Sequence, residues 1–183
     1  MGQAIFIPKE TDPNEGRVGG SPETVKRLVG FGFDVVVEAG AGTLSRITDA
    51  DYQAAGARIG KAADAGKADV VLKVRRPSEA ELKGYKAGAA VLATMDPYGN
   101  DAAVAAMAKA GVTAFAMEFM PRITRAQVMD VLSSQANLAG YQAVIDGAAE
   151  YDRALPMMMT AAGTVPAAKV FVMGVGVAGL QAI

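Results

Sequence analysis

The sequence predicts an α/β protein: a doubly wound, Rossmann/flavodoxin-like parallel sheet domain, followed by the first strand and turn of a second, truncated Rossmann domain. Three observations support this fold class. Short runs rich in β-branched residues alternate with helical segments, as in βαβ units. Apolar residues make up 51% of the 183 residues, which is enough for a sizeable core. A glycine-rich turn follows the last strand pattern of the chain.

The first elements follow from their end signals. Residues 4–7, Ala-Ile-Phe-Ile, predict a strand that ends at a proline. Ser21 can cap a helix in which Pro22 takes the first position and Glu23 favours the positive end. The next run of β-branched residues, 33–37, predicts the second strand.

Short helices and a buried strand come next. A Thr-Asp pair begins a helix over residues 48–55, and another helix is predicted over 61–65. Residues 69–74 form a nearly continuous apolar run, which is typical of a parallel strand buried on both faces. Ser78 and Glu81 have the spacing of a capping box and predict the start of the following helix.

The remaining elements complete the first domain and lead out of it. Residues 89–93 and 112–116 predict two strands, separated by turn residues at 96–100 and a helix over 101–110. A long helical pattern then covers residues 134–153.

A strand pattern at 169–173 leads into Gly-x-Gly-x-x-Gly at the start of a helix, the context of a dinucleotide-binding fingerprint. Gly174 would allow the tight turn, Gly176 would let backbone amides approach a pyrophosphate, and Gly179 would let the helix pack closely. The same glycines also suit an ordinary strand-to-helix turn, so that alternative stays open. The acidic ribose ligand expected about 20 residues later is not found before Ile183.

These elements divide the chain into four segments: an N-terminal α/β domain over 1–133, a connecting helix over 134–155, a linker over 156–168, and the start of a truncated NAD-binding Rossmann domain over 169–183. Because one strand and half a helix cannot fold as a domain, we expect the sequence to be the N-terminal portion of a longer polypeptide. No stretch reaches the roughly 18–20 apolar residues of a membrane-spanning helix, so we expect this portion to be soluble and not exported.

Composition excludes several kinds of chemistry. Lys and Arg number 18 against 19 Asp and Glu, and the net charge of −1 disfavours electrostatic binding to nucleic acid. The absence of cysteine excludes disulfides and thiolate nucleophiles, and the absence of histidine removes the commonest general acid/base and metal ligand. We therefore expect no metal site, and chemistry that uses carboxylates, Lys or Arg, amides, hydroxyls or a cofactor.

Charged residues are predicted at the carboxyl ends of the strands, the edge where parallel sheets bind ligands. Arg17, in the loop that also holds Glu10, could clamp a carboxylate or phosphate, and a solvated surface arginine is the alternative. Lys73 closes the third predicted strand together with Arg75 and Arg76. Desolvation within the apolar run could perturb the pKa of Lys73. The alternative is that Lys73 lies at a strand end that reaches water.

A polar loop follows the last strand of the first domain, over residues 117–135. It carries Arg122, Gln127, Asp130 and Ser133. Each also has a structural explanation. Gln127 can complete a capping box with the threonine three residues before it, Asp130 can support Arg122, and Ser133 can cap the long helix.

Three stretches carry a family resemblance: the loop and helix at 120–141, the methionine-rich run at 156–166 and the glycine-rich turn at 174–182. Together they closely resemble the nicotinamide nucleotide transhydrogenases, in the NAD(H)-binding component that forms the N-terminal portion of the alpha subunit. Residues 8–10 and 15–18 are similar to the wider group that includes alanine dehydrogenase. The resemblance covers essentially the whole chain.

The resemblance implies an activity and partners. In that family this component binds NAD(H) and passes a hydride directly to NADP(H) on another component, while a membrane component couples the transfer to proton translocation. It implies a portion of a Re/Si-specific, proton-translocating NAD(P) transhydrogenase. The component would be a homodimer, peripheral on the cytoplasmic side of the plasma membrane, and the isolated fragment would be inactive.

The resemblance also implies a site. Gln127 would hold the nicotinamide ring while Arg122 and Asp130 orient it, and these three are the predicted catalytic residues. The predicted cofactor contacts are Arg122, Ile123, Thr124, Arg125, Gln127, Ser133, Gly174, Val175, Gly176, Val177 and Gly179. Hydride transfer between two nicotinamides needs no general acid or base, which agrees with a chain that has no histidine.

Two alternatives stay open. Alanine dehydrogenase shares the N-terminal pattern, and Arg17 and Lys73 match the amino-acid-binding residues of that family. That family uses a histidine just after the fourth predicted strand, where this sequence has Leu-Ala-Thr-Met-Asp-Pro over 92–97. Amino-acid oxidation needs proton transfer, so the missing histidine disfavours this alternative. The other alternative is a non-catalytic nucleotide-binding or assembly module. The resemblance assigns no role to the turn at 95–100.

Overall fold

The chain folds into two compact units. The computed structural model describes residues 2–183; one unit runs to Met120 and the other spans Pro121–Ile183. Within the described range, no helix combines the length and the apolar character needed to cross a membrane.

A parallel sheet forms the centre of the first unit. In the described residues its six strands are β1 (Ala4–Ile7), β2 (Asp34–Glu38), β3 (Arg58–Gly60), β4 (Val70–Arg75), β5 (Ala90–Thr94) and β6 (Thr113–Ala116). Their order is β3-β2-β1-β4-β5-β6, and every neighbouring pair is parallel. The order reverses beside β1, so the predicted doubly wound α/β class is confirmed.

Four helices connect these strands: α1 (Pro22–Gly30), α2 (Asp49–Ala54), α3 (Glu79–Leu82) and α4 (Asp101–Lys109). Ser21 caps α1, as the sequence predicts: its Oγ accepts a hydrogen bond from the Thr24 amide at 3.2 Å. Thr48 forms a complete capping box at the start of α2, and Ser78 with Glu81 forms the predicted one at α3. These caps satisfy amide groups that the first turn of a helix leaves unpaired.

The core lies on both faces of the sheet, because successive side chains of its central strands point to opposite sides. Phe6 and Val71 are buried on one face, while Ile5 packs with Tyr52 on the other. The hydroxyl of Tyr52 donates a hydrogen bond to the Gly20 carbonyl at 2.8 Å. This bond satisfies the polar end of a fully buried ring and ties the loop after β1 to α2.

One strand is missing from the sequence prediction. Arg58–Gly60 forms β3 and pairs with β2, although the run is three residues long and holds one β-branched side chain. The free edge of β2, rather than local propensity, creates this strand. The helix predicted over 61–65 is instead a 3₁₀ segment, Ala62–Lys67, where Asp64 accepts a hydrogen bond from the Lys61 amide.

The second unit contains α5 (Val131–Glu150), the antiparallel hairpin of β7 (Met158–Thr160) and β8 (Gly163–Val165), and α6 (Val177–Ala182). Asp130 caps α5, which therefore begins three residues before the predicted start of the long helix at 134. The hairpin lies in the segment that the sequence predicts as a linker, 156–168.

Residues 169–173, predicted as a strand, do not form one in the structure. A strand needs a hydrogen-bonded neighbour, and no segment within residues 2–183 pairs with this one. The glycine turn and the helix after it do form, with α6 beginning at Val177.

Candidate functional site

The loop before α5 presents two polar side chains that the rest of the unit leaves available. Residues Thr124–Met129 form a 3₁₀ segment, anchored by the buried methyl group of Ala126. Arg122 and Gln127 are exposed on this loop, and within residues 2–183 neither side chain forms a hydrogen bond. An amide and a guanidinium in this state can donate to a ligand without first breaking an internal bond.

Asp130, in contrast, is held in place. Its carboxylate accepts hydrogen bonds from the Leu132 and Ser133 amides, each at 3.0 Å, and from Ser133 Oγ at 2.6 Å. The Ser133 hydroxyl is the main cause that lowers the pKa of Asp130 below its ordinary value; the two amides and the charge of Arg122 act in the same direction. The loop therefore combines a fixed, ionised carboxylate with two free donors.

This geometry decides between the structural explanations offered for the loop. Gln127 and Thr124 do not form a capping box, because Ile123 is the residue that precedes the 3₁₀ segment and its side chain accepts no bond. The cap of α5 is Asp130 rather than Ser133. The charge of Arg122 lowers the pKa of Asp130, but within residues 2–183 the two side chains form no ion pair.

The other predicted contacts of the loop, Ile123, Thr124 and Arg125, are all exposed. Their exposure leaves them accessible to a ligand but does not assign them a contact. Their predicted roles stay predictions.

Two of the three fingerprint glycines meet a steric requirement, and the third leaves its backbone open. Gly174 has φ +99°, a conformation that residues with a Cβ rarely adopt. An ideal Cβ on Gly176 would meet nothing within 4 Å, so open space lies above this backbone. On Gly179 a Cβ would lie 2.0 Å from the Gly174 carbonyl oxygen, which only glycine can tolerate. The turn therefore combines a left-handed Gly174, an open backbone at Gly176 and a close approach of Gly179 to Gly174, and its predicted role in binding a pyrophosphate stays a prediction.

Both predicted halves of the cofactor site lie in the second unit, one before α5 and the other before α6. The polar loop leads directly into α5, and α6 packs along the side of α5. Asn137 Nδ2 donates a hydrogen bond to Gln181 Oε1 at 2.7 Å across this contact. Val175 and Val177, predicted to contact a pyrophosphate through their backbone, flank Gly176 and are exposed.

A second polar cluster lies in the first unit, at the carboxyl ends of β1 and β4. Glu15 is 3% exposed and accepts hydrogen bonds from Arg17 Nε and Nη2, both at 2.6 Å, and from Arg75 Nε at 3.0 Å. The bonds from Arg17 are the main cause that lowers the pKa of Glu15 to about 2, against the opposing effect of burial. Arg17 therefore binds an internal carboxylate, and no pattern in the sequence predicts Glu15 as its partner.

Lys73 is paired with carboxylates in a similar way. Its side chain is 1% exposed, and its Nζ lies 2.5 Å from a Glu81 carboxylate oxygen and 3.5 Å from Glu10. Burial alone would raise the pKa of Glu81, but the hydrogen bonds from Lys73 and Ser78 outweigh it and lower that pKa. The alternative of a lysine whose strand end reaches water is wrong. The Ser-x-x-Glu spacing was the available signal, although it indicated a helix cap rather than a lysine partner.

Arg76 braces the turn after β5. Its guanidinium donates to the Met95 and Asp96 carbonyls at 2.9 and 2.8 Å and to Asn100 Oδ1 at 2.9 Å. Glu118 accepts hydrogen bonds from the amides of the same two residues, Met95 and Asp96. This turn is where alanine dehydrogenases are expected to place a histidine, and here it is held by a guanidinium and a carboxylate.

Comparison with known proteins assigns the family. Residues 6–139 match the alanine dehydrogenase/PNT N-terminal domain, and residues 143–183 match the alanine dehydrogenase/PNT C-terminal domain. The chain belongs to the alanine dehydrogenase/PNT family. Within this family its sequence resembles the transhydrogenase alpha subunits, as the loop and glycine-turn residues predict.

One relative and two solved structures define the similarity. The first of the polypeptides that make up NAD(P) transhydrogenase subunit alpha in Rhodospirillum rubrum is 58% identical over 186 residues, which cover 98% of this chain and 48% of that protein. The crystal structure of transhydrogenase from Sinorhizobium meliloti aligns with a TM-score of 0.96 at 74% identity, over 98% of this chain and 54% of that one. An L-alanine dehydrogenase structure aligns at 0.85 with 28% identity, over 98% and 50%. The chain thus spans about half the length of these alanine dehydrogenase/PNT relatives.

Proposed function

We propose that this chain belongs to the NAD(H)-binding component of a proton-translocating NAD(P) transhydrogenase. The observation that carries the proposal is the loop in which the unbonded Gln127 amide and Arg122 guanidinium stand beside the fixed carboxylate of Asp130. The 58% identity to a transhydrogenase alpha-subunit polypeptide supports it. Bound NADH would supply the hydride, and NADP(H) would be held on a partner component.

The chemistry of the residues fits this role. Direct hydride transfer needs the donor and acceptor rings to be held at a fixed distance and orientation, with water excluded, and it needs no proton donor. Gln127 would donate a hydrogen bond to the carboxamide of the nicotinamide. Arg122 and Asp130 would fix its orientation, while the open backbone at Gly174 and Gly176 would receive the pyrophosphate.

The proposal extends to partners and location. The relatives are named as subunits or as portions of subunits, which supports assembly with NADP(H)-binding and membrane components. We propose a homodimeric component that is peripheral on the cytoplasmic side of the membrane. The activity belongs to the whole assembly, and hydride transfer by the isolated chain is not expected.

Gln127→Asn tests the proposed role in the full-length protein, assembled with its NADP(H) component. The shorter side chain draws the amide back by about one methylene, so we expect hydride transfer to slow roughly tenfold or more while the NADH Kd changes little. Stopped-flow transfer and NADH fluorescence titration measure the two quantities. Gln53→Asn, an exposed residue of α2, is the matched control. An unchanged transfer rate in Gln127→Asn would remove Gln127 from the site.

Alanine dehydrogenase activity is the second candidate, because Arg17 and Lys73 stand at positions that match that family. In this chain internal carboxylates bind both cations, and the turn at 95–100 carries no histidine. Both observations disfavour amino-acid oxidation. Reductive amination of pyruvate with NADH and ammonia decides the question, and measurable alanine formation would reverse the ranking.

A further inference from the structure

The backbones of α5 and α6 approach each other closely at one glycine, Gly140. Gly140 is the buried residue of α5, and an ideal Cβ there would lie 2.1 Å from the Ala178 carbonyl oxygen and 2.8 Å from its carbonyl carbon. Real Cβ atoms essentially never approach another heavy atom within 3.0 Å. Backbone meets backbone at this point, so no flexible side chain can move aside.

The helix that meets Gly140 is continuous with the glycine turn. Gly176 is the N-cap of α6, and Gly179 packs so closely on Gly174 that the turn and the helix cannot separate without opening that contact. A displacement of α6 at Ala178 therefore displaces the turn as well. One turn earlier on α5, the hydrogen bond from Asn137 to Gln181 prevents α6 from sliding along the contact.

We propose that Gly140 is a positioning residue: by letting α6 touch the backbone of α5, it sets the place of the Gly174–Gly176 turn for the cofactor pyrophosphate. This inference rests on the proposed function, since it assumes that the turn receives a dinucleotide. It also accounts for a glycine at position 140, inside α5, where glycine lowers helix stability relative to alanine.

The same helix supplies a matched control. Gly147 also lies inside α5, but an ideal Cβ there meets nothing within 4 Å. Gly147→Ala therefore adds the same methyl group to the same helix without touching α6. We expect it to leave NADH binding unchanged and to stabilise the helix slightly.

Gly140→Ala in the full-length protein should move α6 by roughly 1 Å, because the new methyl must withdraw from 2.1 Å to ordinary contact distance. We expect the NADH Kd to rise roughly tenfold or more. The KM for NADP(H), bound on the partner component, should stay unchanged. Titration of protein fluorescence with NADH, and the thermal midpoint with and without NADH, separate lost binding from lost stability.

Asn137→Ala provides a second variant that introduces no clash. It removes the bond to Gln181 and should raise the NADH Kd severalfold, with the midpoint of the NADH-free protein little changed. A parent protein that does not bind NADH would refute the proposed function. NADH binding by the parent and equally tight binding by Gly140→Ala would overturn the positioning role alone. If Gly140→Ala does not fold, an unchanged Kd in Asn137→Ala overturns it.

Discussion

Glu15 provides a test of the electrostatics at the carboxyl edge of the sheet. Its buried carboxylate is bound by Arg17 through two hydrogen bonds of 2.6 Å and by Arg75 at 3.0 Å. These contacts lower its pKa from 4.5 to about 2. One unit of pKa corresponds to about 1.36 kcal/mol, so this pKa difference between the unfolded and folded states contributes at most about 3.4 kcal/mol to the free energy of unfolding. Both guanidiniums are about half exposed, so solvent screening reduces our expectation to about 2 kcal/mol.

The pH dependence follows from the direction of the pKa change. A carboxyl group whose pKa is lowered by folding stabilises the protein above its unfolded pKa, and this stabilisation disappears as the pH falls towards the folded value. Glu15→Gln should therefore lower the free energy of unfolding by about 2 kcal/mol at about pH 7, and by less than about 1 kcal/mol at about pH 3. Urea unfolding followed by circular dichroism measures both values.

The control for this experiment is Glu23→Gln. Glu23 pairs with Arg27 at 3.2 Å on the surface of α1, where both side chains are at least three quarters exposed. Exposed pairs of this kind contribute little to stability, so the variant should unfold like the parent at either pH. A Glu15→Gln effect that is equally large at both pH values would show that lost packing, and not charge, is the cause.

Three further predictions concern single contacts. Tyr52→Phe should cost about 1 kcal/mol in urea unfolding, because the buried Gly20 carbonyl loses its partner; no change would mean that water replaces the hydroxyl. Lys73→Met should cost about 3 kcal/mol or more by the same measurement, since the buried Glu10 and the partly buried Glu81 carboxylates lose their cation, and a neutral result would contradict the ion pairs. Ser133→Ala should raise the pKa of Asp130 towards its ordinary value, as measured by carboxyl NMR, and an unmoved pKa would assign the effect to the helix amides.

The sequence predicts those elements of the fold that depend on local chemistry. The Ser21 cap and the Ser78–Glu81 capping box form as predicted, because each needs only residues within one helical turn. The strand Arg58–Gly60 could not be predicted in this way. It exists because β2 offers a free edge 20 residues earlier in the chain, and no pattern within the strand records that edge.

In the candidate site, too, the features that follow a known local motif were predicted, and those that depend on other contacts were not. The glycine spacing predicts the turn at 174–179, and the positive φ of Gly174 agrees with it. The partners of Arg17 and Lys73 were not predicted. Glu15 lies only two residues before Arg17, but no known motif pairs an arginine with a glutamate at that spacing. Glu81 meets Lys73 from eight residues away, across the turn between β4 and α3. Nor does any local pattern single out Gly140, whose importance depends on a helix almost 40 residues further along the chain.

The strand order has a consequence for how the chain can fold during synthesis. β2 and β3 add in turn to one side of β1, and β4, β5 and β6 then add in turn to the other side. Each strand that leaves the ribosome thus finds a free edge of the existing sheet, and none has to insert between two strands already paired. The second edge of β1 stays unpaired for the longest stretch of synthesis, because it pairs with β4, some 65 residues later in the chain. Until then that edge is open to wrong partners, so we expect stalled chains that end before β4 to be the ones that aggregate.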